Sequence, residues 1–198
     1  PPIVASRDGL TLLGGGEIGT SDLKEALSLA PDLVAADSGA EAALAAGLTP
    51  RVVIGDMDSL GPAAQTRLAP VLHRVDEQES TDFDKVTARV AAPFALGVGF
   101  LGLRTDHQMA NLSTLARARH LRCLLIGAED VVFAAPPEMA LSLPPASRVS
   151  LFPLAPVQGR SEGLHWPIEG LAFAPTGPHG TSNRVADGAA EVKLCFDA

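Results

Sequence analysis

The chain has 198 residues, of which 46% are hydrophobic and 19% are charged, as in a globular protein rather than a disordered or collagen-like one. The formal net charge of −8 argues against a nucleic-acid binder that relies on excess lysine and arginine. No apolar run approaches the roughly 20 residues of a membrane-spanning helix, and the first residues lack the pattern of a signal peptide. We therefore expect a cytoplasmic protein that binds neither nucleic acid nor membrane, with Cys123 and Cys195 as reduced thiols.

Up to about Ala135, short apolar runs alternate with helix-like patterns, which predicts a parallel sheet covered by helices. The predicted strands are Leu10–Leu13, Leu33–Ala36, Val52–Ile54, Val71–Val75, Phe94–Leu101 and Cys123–Ile126. The predicted helices run from a Ser21 cap to about Leu29, from about Ala40 to Gly47, from Pro62 onward, and from a Thr81/Asp84 capping box to a point before Pro93.

Beyond Ala135 the composition and pattern of the sequence change: nine of the sixteen prolines lie there, and the apolar runs become short. This pattern predicts antiparallel strands joined by Pro/Gly turns, at Val149–Leu154, Gly163–Ile168 and Ala190–Phe196. The predicted domains are therefore residues 1–135 and 136–198.

Several carboxylates follow the predicted strands. Ligands of open parallel sheets bind outside the carboxyl ends of the strands, which converge at one edge. A single acid there is usually a helix cap or a solvated turn residue, but a group of carboxylates repels itself unless a cation joins it. The acids in such positions are Asp37, Asp56, Asp58, Asp82, Asp84 and Asp106.

These acids predict a metal site made of oxygen ligands, which favours Mg²⁺ or Mn²⁺ over zinc. Asp56 and Asp58 have D-x-D spacing, so in an extended segment both side chains would point to one face. Because substrate phosphates commonly complete the coordination of Mg²⁺, the nearby Lys85 and Arg104 favour a nucleotide site. The alternative for Lys85 is a solvated helix lysine paired with Asp82 or Asp84.

A glycine-rich loop follows the first predicted strand. Gly14, Gly16 and Gly19 fit the pattern G-x-G-x-x-G, with Asp37 at a suitable distance for a ribose contact, so a dinucleotide site is an alternative. That alternative leaves the other acids unexplained. The loop lacks the ending of a Walker A motif, and its neutral interpretation is that the glycines let the backbone approach a phosphate.

In several segments the chain resembles the thiamin pyrophosphokinase family, over nearly its whole length. These segments are AADSGA at Ala35–Ala40, GDMDS at Gly55–Ser59, STDFDK at Ser80–Lys85, GLRTDHQMANL at Gly102–Leu112, VSLFPL at Val149–Leu154, GLHWPIEG at Gly163–Gly170 and GTSN at Gly180–Asn183.

The resemblance implies transfer of a pyrophosphate group from ATP to the hydroxyethyl group of thiamine, which gives thiamine diphosphate and AMP. It implies a three-layer α/β domain that binds ATP and Mg²⁺, followed by a small antiparallel β-sandwich that binds thiamine. It also implies a homodimer whose active sites lie between subunits.

Carried over to this sequence, the resemblance assigns roles to individual residues. Asp56, Asp58 and Asp82 would bind the metal, and Asp37, Arg104 and Asp106 would complete the catalytic cleft. The expected ATP contacts are Gly15, Gly16, Ser38, Thr81, Lys85, Arg104, His107 and Asn111. The expected thiamine contacts are Asp58, Trp166, Ser182 and Asn183, and for Trp166 the alternative is core packing.

Three positions depart from the family's usual pattern. Ser38 and Leu103 stand where glycine is usual, and Arg184 stands where an acid is common. These departures keep two alternatives open: a degenerate thiamine- or nucleotide-binding protein without efficient transfer, and a pyrophosphokinase for another alcohol such as a pterin. Whether Asp37 or Asp106 accepts the proton of the alcohol also stays open.

Overall fold

The computed structural model describes residues 1–197, and the chain divides into two compact units, Pro1–Ala134 and a second unit that begins at Ala135. The strands of the first unit are β1 (Val4–Ala5), β2 (Leu10–Leu13), β3 (Asp32–Ala36), β4 (Val52–Gly55), β5 (Leu72–Arg74), β6 (Val90–Ala91), β7 (Ala95–Val98), β8 (Cys123–Ile126) and β9 (Val131–Phe133). Its helices are α1 (Thr20–Leu29), α2 (Gly39–Ala45), α3 (Pro62–Leu68), α4 (Asp82–Thr87) and α5 (Thr105–Arg117), with a 3₁₀ turn at Ala69–Val71.

Seven strands of the first unit form one sheet in the order β5-β4-β3-β2-β7-β8-β9. All neighbouring pairs are parallel except β8 and β9, which are antiparallel. The chain builds outward from β2 to β5 on one side and then from β7 to β9 on the other. The strand order therefore reverses between β2 and β7.

Apolar side chains on both faces of this sheet are covered by helices. Along β2, Leu10 and Leu12 join the cluster that contains Phe83 of α4, while Leu13 joins the opposite cluster with Leu23 of α1. Successive strand residues point to opposite faces, so one strand supplies both clusters. The first unit is thus the expected three-layer α/β structure.

The second unit consists of antiparallel strands: β10 (Glu138–Ser142), β11 (Arg148–Leu151), β12 (Gly159–Glu162), β13 (Gly180–Arg184) and β14 (Glu191–Phe196). Strands β10, β14 and β12 form one sheet, and β11 pairs with β13 in another. Val149 of β11 and Val192 of β14 belong to one buried apolar cluster, so the two sheets share a core. The expected fold class, a parallel α/β region followed by antiparallel sheets, is confirmed.

Several local predictions are confirmed. Strands Leu10–Leu13 and Cys123–Ile126 have the predicted bounds, Pro62 is the first residue of α3, and Gly47 follows α2 with φ of +73°. Thr81 forms the predicted capping box, since its hydroxyl accepts the N–H of Asp84 and the Asp84 carboxylate accepts the N–H of Thr81.

Three local predictions are wrong. Ser21 does not cap α1, which begins at Thr20 after Gly19, and the Ser21 hydroxyl bonds to Asp22 instead. The strand predicted at Phe94–Leu101 ends at Val98, because Gly99 turns the chain with φ of +78°. Gly163–Ile168 is not a strand and makes one bridge, from Leu164 to Val185, because Gly163 has φ of +79° and Pro167 has no N–H for a ladder.

Within residues 1–197, every helix is too short or too polar to cross a membrane. Cys123 and Cys195 are both free, as expected. Burial raises the pKa of the Cys123 thiol to about 12, so this cysteine packs as a small apolar side chain.

We predict that Thr81→Ala lowers the free energy of unfolding by about 1 kcal/mol, because it removes the hydroxyl acceptor of the capping box. The measurement is urea denaturation followed by circular dichroism. Thr66→Ala is the matched control, since Thr66 lies exposed on α3 and an exposed substitution usually changes stability by less than about 0.5 kcal/mol. Equal unfolding curves for the two variants would contradict the prediction.

Candidate functional site

A cleft of about 230 Å³ opens in the first unit between the loops that follow β2 and β7. The chain passes from β2 to β3 on one side and from β7 to β8 on the other, so these two loops diverge. Ligands of open α/β sheets bind at such a topological switch point. The fold therefore marks this cleft as a binding site before any side chain is considered.

The two loops approach each other through glycine. Gly16 N–H donates to the carbonyl of Gly99 at 2.7 Å, and Gly14 N–H donates to the carbonyl of Val98 at 2.8 Å. A Cβ on Gly14 would lie 2.4 Å from the carbonyl oxygen of Gly99. Any side chain at Gly14 would therefore force the two loops apart.

The cleft brings together many of the residues predicted for ATP. Those that line it are Gly15, Gly16, Ser38, Thr81, Arg104, His107 and Asn111, whereas Lys85 does not. Asp82, which was predicted to bind the metal, also lines the cleft. Lining residues that the sequence interpretation missed are Ala36, Phe83, Gly99 and Phe100, whereas Gly14, Gly102 and Leu103 lie in loops that it had placed near phosphate. Part of this wall could have been predicted from a second pair of glycines, in GVGF at 97–100.

Asp37 follows β3 directly and is buried, with 1% of the residue exposed. Its Oδ2 accepts the N–H of Ser59 at 3.3 Å, whereas the buried Oδ1 has no hydrogen-bond partner among the described residues. Burial raises the pKa of Asp37, and the charge of Asp56 adds to this, against the lowering effect of the Ser59 hydrogen bond. Asp37 Oδ1 is therefore an oxygen that requires a cation or a proton.

Asp56 follows β4, and both of its carboxylate oxygens accept hydrogen bonds. Oδ2 accepts Lys85 Nζ at 2.7 Å and Gln78 Nε2 at 3.2 Å, and Oδ1 accepts the N–H of Asp58 at 3.2 Å. The Lys85 hydrogen bond is the main cause that holds the pKa of Asp56 below its usual value. Asp56 is therefore ionised at neutral pH. No pattern in the sequence had predicted the contact between Gln78 and Asp56.

The D-x-D segment is a turn, so the prediction of an extended segment is wrong. Met57 has φ of +68° and is buried, with 4% of the residue exposed. The Asp56 carboxylate stabilises this turn by accepting the Asp58 N–H, as short acidic side chains commonly do. Asp58 is left exposed.

Asp82 is the first residue of α4, and Lys85 lies one turn later on the same helix. Lys85 Nζ is 3.7 Å from Asp82 Oδ1, and the Lys85 side chain is 2% exposed. Burial raises the pKa of Asp82, the charge of Asp37 adds to the rise, and the Lys85 charge opposes it. Lys85 is therefore paired with Asp82, which is one of the two partners predicted for it. The prediction that this lysine would be solvated is wrong.

Asp84 acts in the fold of the first unit. Its Oδ1 accepts Thr114 Oγ1 at 2.8 Å and Arg117 Nη2 at 2.6 Å, and its Oδ2 accepts the Thr81 hydroxyl at 2.9 Å. Burial raises the pKa of Asp84, but these hydrogen bonds outweigh it and leave the pKa below the usual value. Asp84 therefore ties the start of α4 to α5.

The acids at this edge of the sheet suit a hard cation, because carboxylate oxygens are the ligands that Mg²⁺ prefers. One of these oxygens, Asp37 Oδ1, is buried without a hydrogen-bond partner among the described residues. Within residues 1–197, no three His, Cys, Asp or Glu side chains are gathered closely enough to hold a metal ion. Lys85 Nζ lies instead between Asp56 and Asp82. The assignment of Asp56, Asp58 and Asp82 to a metal stays a prediction.

Arg104 occupies the position before the first residue of α5, and its side chain is exposed. Its Nε and Nη2 donate to Asp106 Oδ1 and Oδ2 at 3.1 and 2.6 Å, and Asp106 Oδ1 also accepts the N–H of His107 at 3.0 Å. The Arg104 hydrogen bonds lower the pKa of Asp106 to about 2. Buried Asn111 lies one to two turns further along α5 and donates to the carbonyl of Phe100 at 2.8 Å, which fixes the far loop of the cleft.

In the second unit, Trp166 is 55% exposed, so the alternative of core packing is wrong. Buried Asn183 holds its backbone from both sides: Asn183 Oδ1 accepts the Trp166 N–H at 3.2 Å, and Nδ2 donates to the Trp166 carbonyl at 2.7 Å. The His165 ring meets the indole edge-on, with centroids 4.4 Å apart. The sequence indicated Asn183 as a ligand contact, and the structure gives its amide a positioning contact.

Ser182 and Arg184 flank Asn183. Ser182 has φ of +61°, and its N–H donates to Ser150 Oγ at 3.0 Å. Arg184 lies 3.3 Å from His165 Nδ1 and 3.7 Å from Asp187 Oδ1. The positive charge of Arg184 is therefore partly balanced within the second unit.

The two departures from glycine have different structural consequences. Ser38 has φ of −57° at the start of α2, a conformation open to any residue. Leu103 has φ of +57° and is 78% exposed on the wall of the cleft. The left-handed conformation costs a residue with a Cβ roughly 1–2 kcal/mol, so only the Leu103 departure carries backbone strain.

The first unit is an open α/β sheet whose switch point carries a cleft lined by glycines and by Asp82, in the position where proteins of this class bind ligands. A family model described as "Thiamin pyrophosphokinase, catalytic domain" matches residues 23–126, more than half of the chain. The chain therefore belongs to the thiamin pyrophosphokinase family, as its sequence motifs indicated.

Individual relatives agree with this membership. The chain is 25% identical over 161 residues to Thiamine pyrophosphokinase 1 of Oryza sativa subsp. japonica, a match that covers 70% of this chain and 60% of the rice protein. It thus spans less than two thirds of that relative's length.

Solved structures of the same family share the fold. The thiamin pyrophosphokinase from Candida albicans superposes with a TM-score of 0.81 at 16% identity, over 96% of this chain and 86% of that chain. The thiamine pyrophosphokinase from Bacillus subtilis superposes with a TM-score of 0.75 at 20% identity, over 95% of this chain and 94% of that chain.

We predict that Asp37→Asn raises the free energy of unfolding of the metal-free protein at pH 7, because it removes a negative charge that is disfavoured by burial and by the neighbouring charge of Asp56. The native pKa of Asp37 lies above its unfolded value, so the ionised carboxylate destabilises the native protein increasingly as pH rises through that pKa. The gain in Asp37→Asn should therefore shrink as pH falls and the wild-type carboxyl becomes protonated.

The measurement is urea denaturation in EDTA at several pH values. Asp8→Asn is the control, because Asp8 is exposed and lies outside the cleft lining. A loss of stability in Asp37→Asn at pH 7, or a gain that does not depend on pH, would contradict the prediction.

Proposed function

We propose that this protein transfers a pyrophosphate group from ATP to the hydroxyethyl group of thiamine, giving thiamine diphosphate and AMP. The observation that carries the proposal is the glycine-walled cleft at the switch point of the sheet, bordered by Asp82 and by Arg104. Membership of the thiamin pyrophosphokinase family supports the choice of reaction and of acceptor.

The cleft suits the polyphosphate part of ATP. Its volume of about 230 Å³ lies below the roughly 300–1,000 Å³ of sites that enclose a whole drug-sized ligand. Glycine loops allow phosphate oxygens to come close to the backbone, and Arg104 and His107 add polar side chains at the rim. Arg104 would exchange its two hydrogen bonds to Asp106 for similar bonds to phosphate oxygens, which also accept two parallel N–H donors.

Mg²⁺ would be held by Asp56, Asp58 and Asp82, with the buried Asp37 beside them. When bound, it would supply positive charge against the phosphate oxygens of ATP. The chain's own contribution is positional: the turn at Met57 leaves Asp58 exposed, while α4 places Asp82 on the wall of the cleft.

Of the two acids considered for accepting the alcohol proton, Asp37 is the better base. Asp106 has a pKa of about 2 while it is paired with Arg104, so it takes up a proton poorly at neutral pH. The pKa of Asp37 is raised by burial, and its Oδ1 has no hydrogen-bond partner among the described residues. Asp37 is buried and is not part of the cleft lining, so this role requires that substrate binding uncover Oδ1.

Trp166 is the proposed contact for thiamine. Its indole is exposed, and its backbone is fixed by Asn183. An indole face attracts a cationic aromatic ring by stacking and by cation–π interaction.

The family resemblance further favours a homodimer with active sites between subunits and a cytoplasmic location, and the free cysteines agree with a reducing compartment. Sedimentation of the enzyme at assay concentrations tests the first point. We expect a dimer, and a monomer with full specific activity would contradict it.

The decisive assay incubates the protein with ATP, Mg²⁺ and thiamine, and measures AMP and the thiamine product by mass spectrometry. We expect AMP and thiamine diphosphate in equal amounts, and Asp58→Asn should lower the rate at least about 100-fold, since even residues that only orient metal ligands cost 10–100-fold. The fold should persist, because Asp58 is exposed and its replacement reduces repulsion in the acid group.

Asp8→Asn is the matched control and should keep the wild-type rate. Near-normal turnover in Asp58→Asn would remove its metal role. ADP with thiamine monophosphate would place attack at the γ-phosphorus. Thiamine binding without AMP would favour the degenerate binding protein, with strained Leu103 as the first residue to replace by glycine.

We predict that Trp166→Ala raises the KM for thiamine about 2- to 30-fold with little change in the KM for ATP, because a cation–π contact contributes about 0.5–2 kcal/mol. Phe152→Ala is the control, since Phe152 is a 58% exposed aromatic residue of the same unit that stacks on His179. Equal effects of the two substitutions would argue against a specific role for Trp166.

A further inference from the structure

Lys85 is the one buried lysine or arginine among residues 1–197, with 2% of the residue exposed. Its ammonium lies 2.7 Å from Asp56 Oδ2 and 3.7 Å from Asp82 Oδ1. These two acids come from different elements, Asp56 after β4 and Asp82 at the start of α4. One buried cation therefore joins two acids that repulsion would otherwise separate.

The position of Lys85 is fixed by the fold around it. The Thr81/Asp84 capping box sets the first turn of α4, and Asp84 ties this turn to α5. The neighbours Phe83 and Val86 are buried in the core on the same short helix. Lys85 is absent from the lining of the cleft, whereas Thr81, Asp82 and Phe83 are part of it.

The hydrogen bonds of Asp56 also indicate that Lys85 compensates the charge of an acid within the protein. Its Oδ2 is shared between Lys85 and Gln78, so this oxygen is already satisfied by the protein. Asp37 Oδ1 is buried without a hydrogen-bond partner among the described residues, and Lys85 lies farther from Asp82 than from Asp56. The ammonium therefore compensates only part of the negative charge at this edge of the sheet.

We propose that Lys85 is a positioning residue that acts as an internal counter-cation: it holds Asp56 and Asp82 together before any ligand binds, and it competes with the divalent cation for Asp56. This rests on the proposed function, in which these acids face Mg²⁺. Lys85 then does not contact ATP phosphate, in contrast to the role expected for it from sequence.

The test compares the wild type with Lys85→Met by thermal unfolding in EDTA and in Mg²⁺, without ATP or thiamine. In EDTA we expect Lys85→Met to unfold about 5–15 °C lower, because breaking a buried ion pair leaves uncompensated charge. Mg²⁺ should raise the Tm of Lys85→Met by more than it raises that of the wild type. Calorimetric titration should show tighter Mg²⁺ binding, since a competing cation has been removed.

A double variant keeps the proposal testable if Lys85→Met fails to fold. Lys85→Met/Asp56→Asn removes both charges of the pair, so its Tm in EDTA should lie within a few degrees of that of Asp56→Asn alone. A double variant as unstable as the two single losses combined would show that the pair is not coupled and would overturn the proposal.

Two other outcomes would also overturn it. An unchanged Tm with an ATP dissociation constant raised tenfold would make Lys85 a phosphate ligand. The same loss of Tm in EDTA and in Mg²⁺, with unchanged Mg²⁺ binding, would reduce Lys85 to a salt bridge of the fold. Failure of the wild type to form AMP would defeat the proposed function separately, because these unfolding and titration measurements require no turnover.

Discussion

Repulsion among carboxylates is the constraint on which the rest of this structure depends. Asp37, Asp56 and Asp82 reach the same edge of the sheet because parallel strands end together there. The buried ammonium of Lys85 offsets part of their charge, and Asp37 Oδ1 has no hydrogen-bond partner among the described residues. The chain itself therefore neutralises these acids only in part.

The surrounding fold provides the rigidity that such a cluster needs. The capping box at Thr81 and the contacts of Asp84 with α5 fix the helix that carries both Asp82 and Lys85. Glycine at positions 14 and 99 lets the neighbouring loops come into backbone contact. The second unit uses the same principle, because the buried amide of Asn183 fixes the backbone of an exposed Trp166. In both units, buried polar contacts orient the residues that we propose as ligand contacts.

Sequence patterns predicted the central strands of the sheet and helices α1 to α4, but they did not predict α5, β10, β12 or β13. Apolar runs such as Leu10–Leu13 can be recognised because both faces of a central strand are buried. The prediction at Gly163–Ile168 is wrong, since the positive φ of Gly163 depends on contacts with β14 that are distant in sequence. The left-handed conformation of Met57 had no local signal, because methionine does not favour it. For Leu103, the only signal was that the family usually has glycine at this position.

By itself, the sequence determined the class of fold, the family and the presence of an acidic group at the strand ends, because periodicity and motif order are local properties of the chain. Only the tertiary structure decided the state of each group. The ammonium of Lys85 is buried, and the Asp106 carboxylate accepts a hydrogen bond from Arg104. One oxygen of Asp37 has no hydrogen-bond partner among the described residues. These differences arise from burial and from partners brought together by folding, and both set the free energy of a charge more strongly than its residue type does.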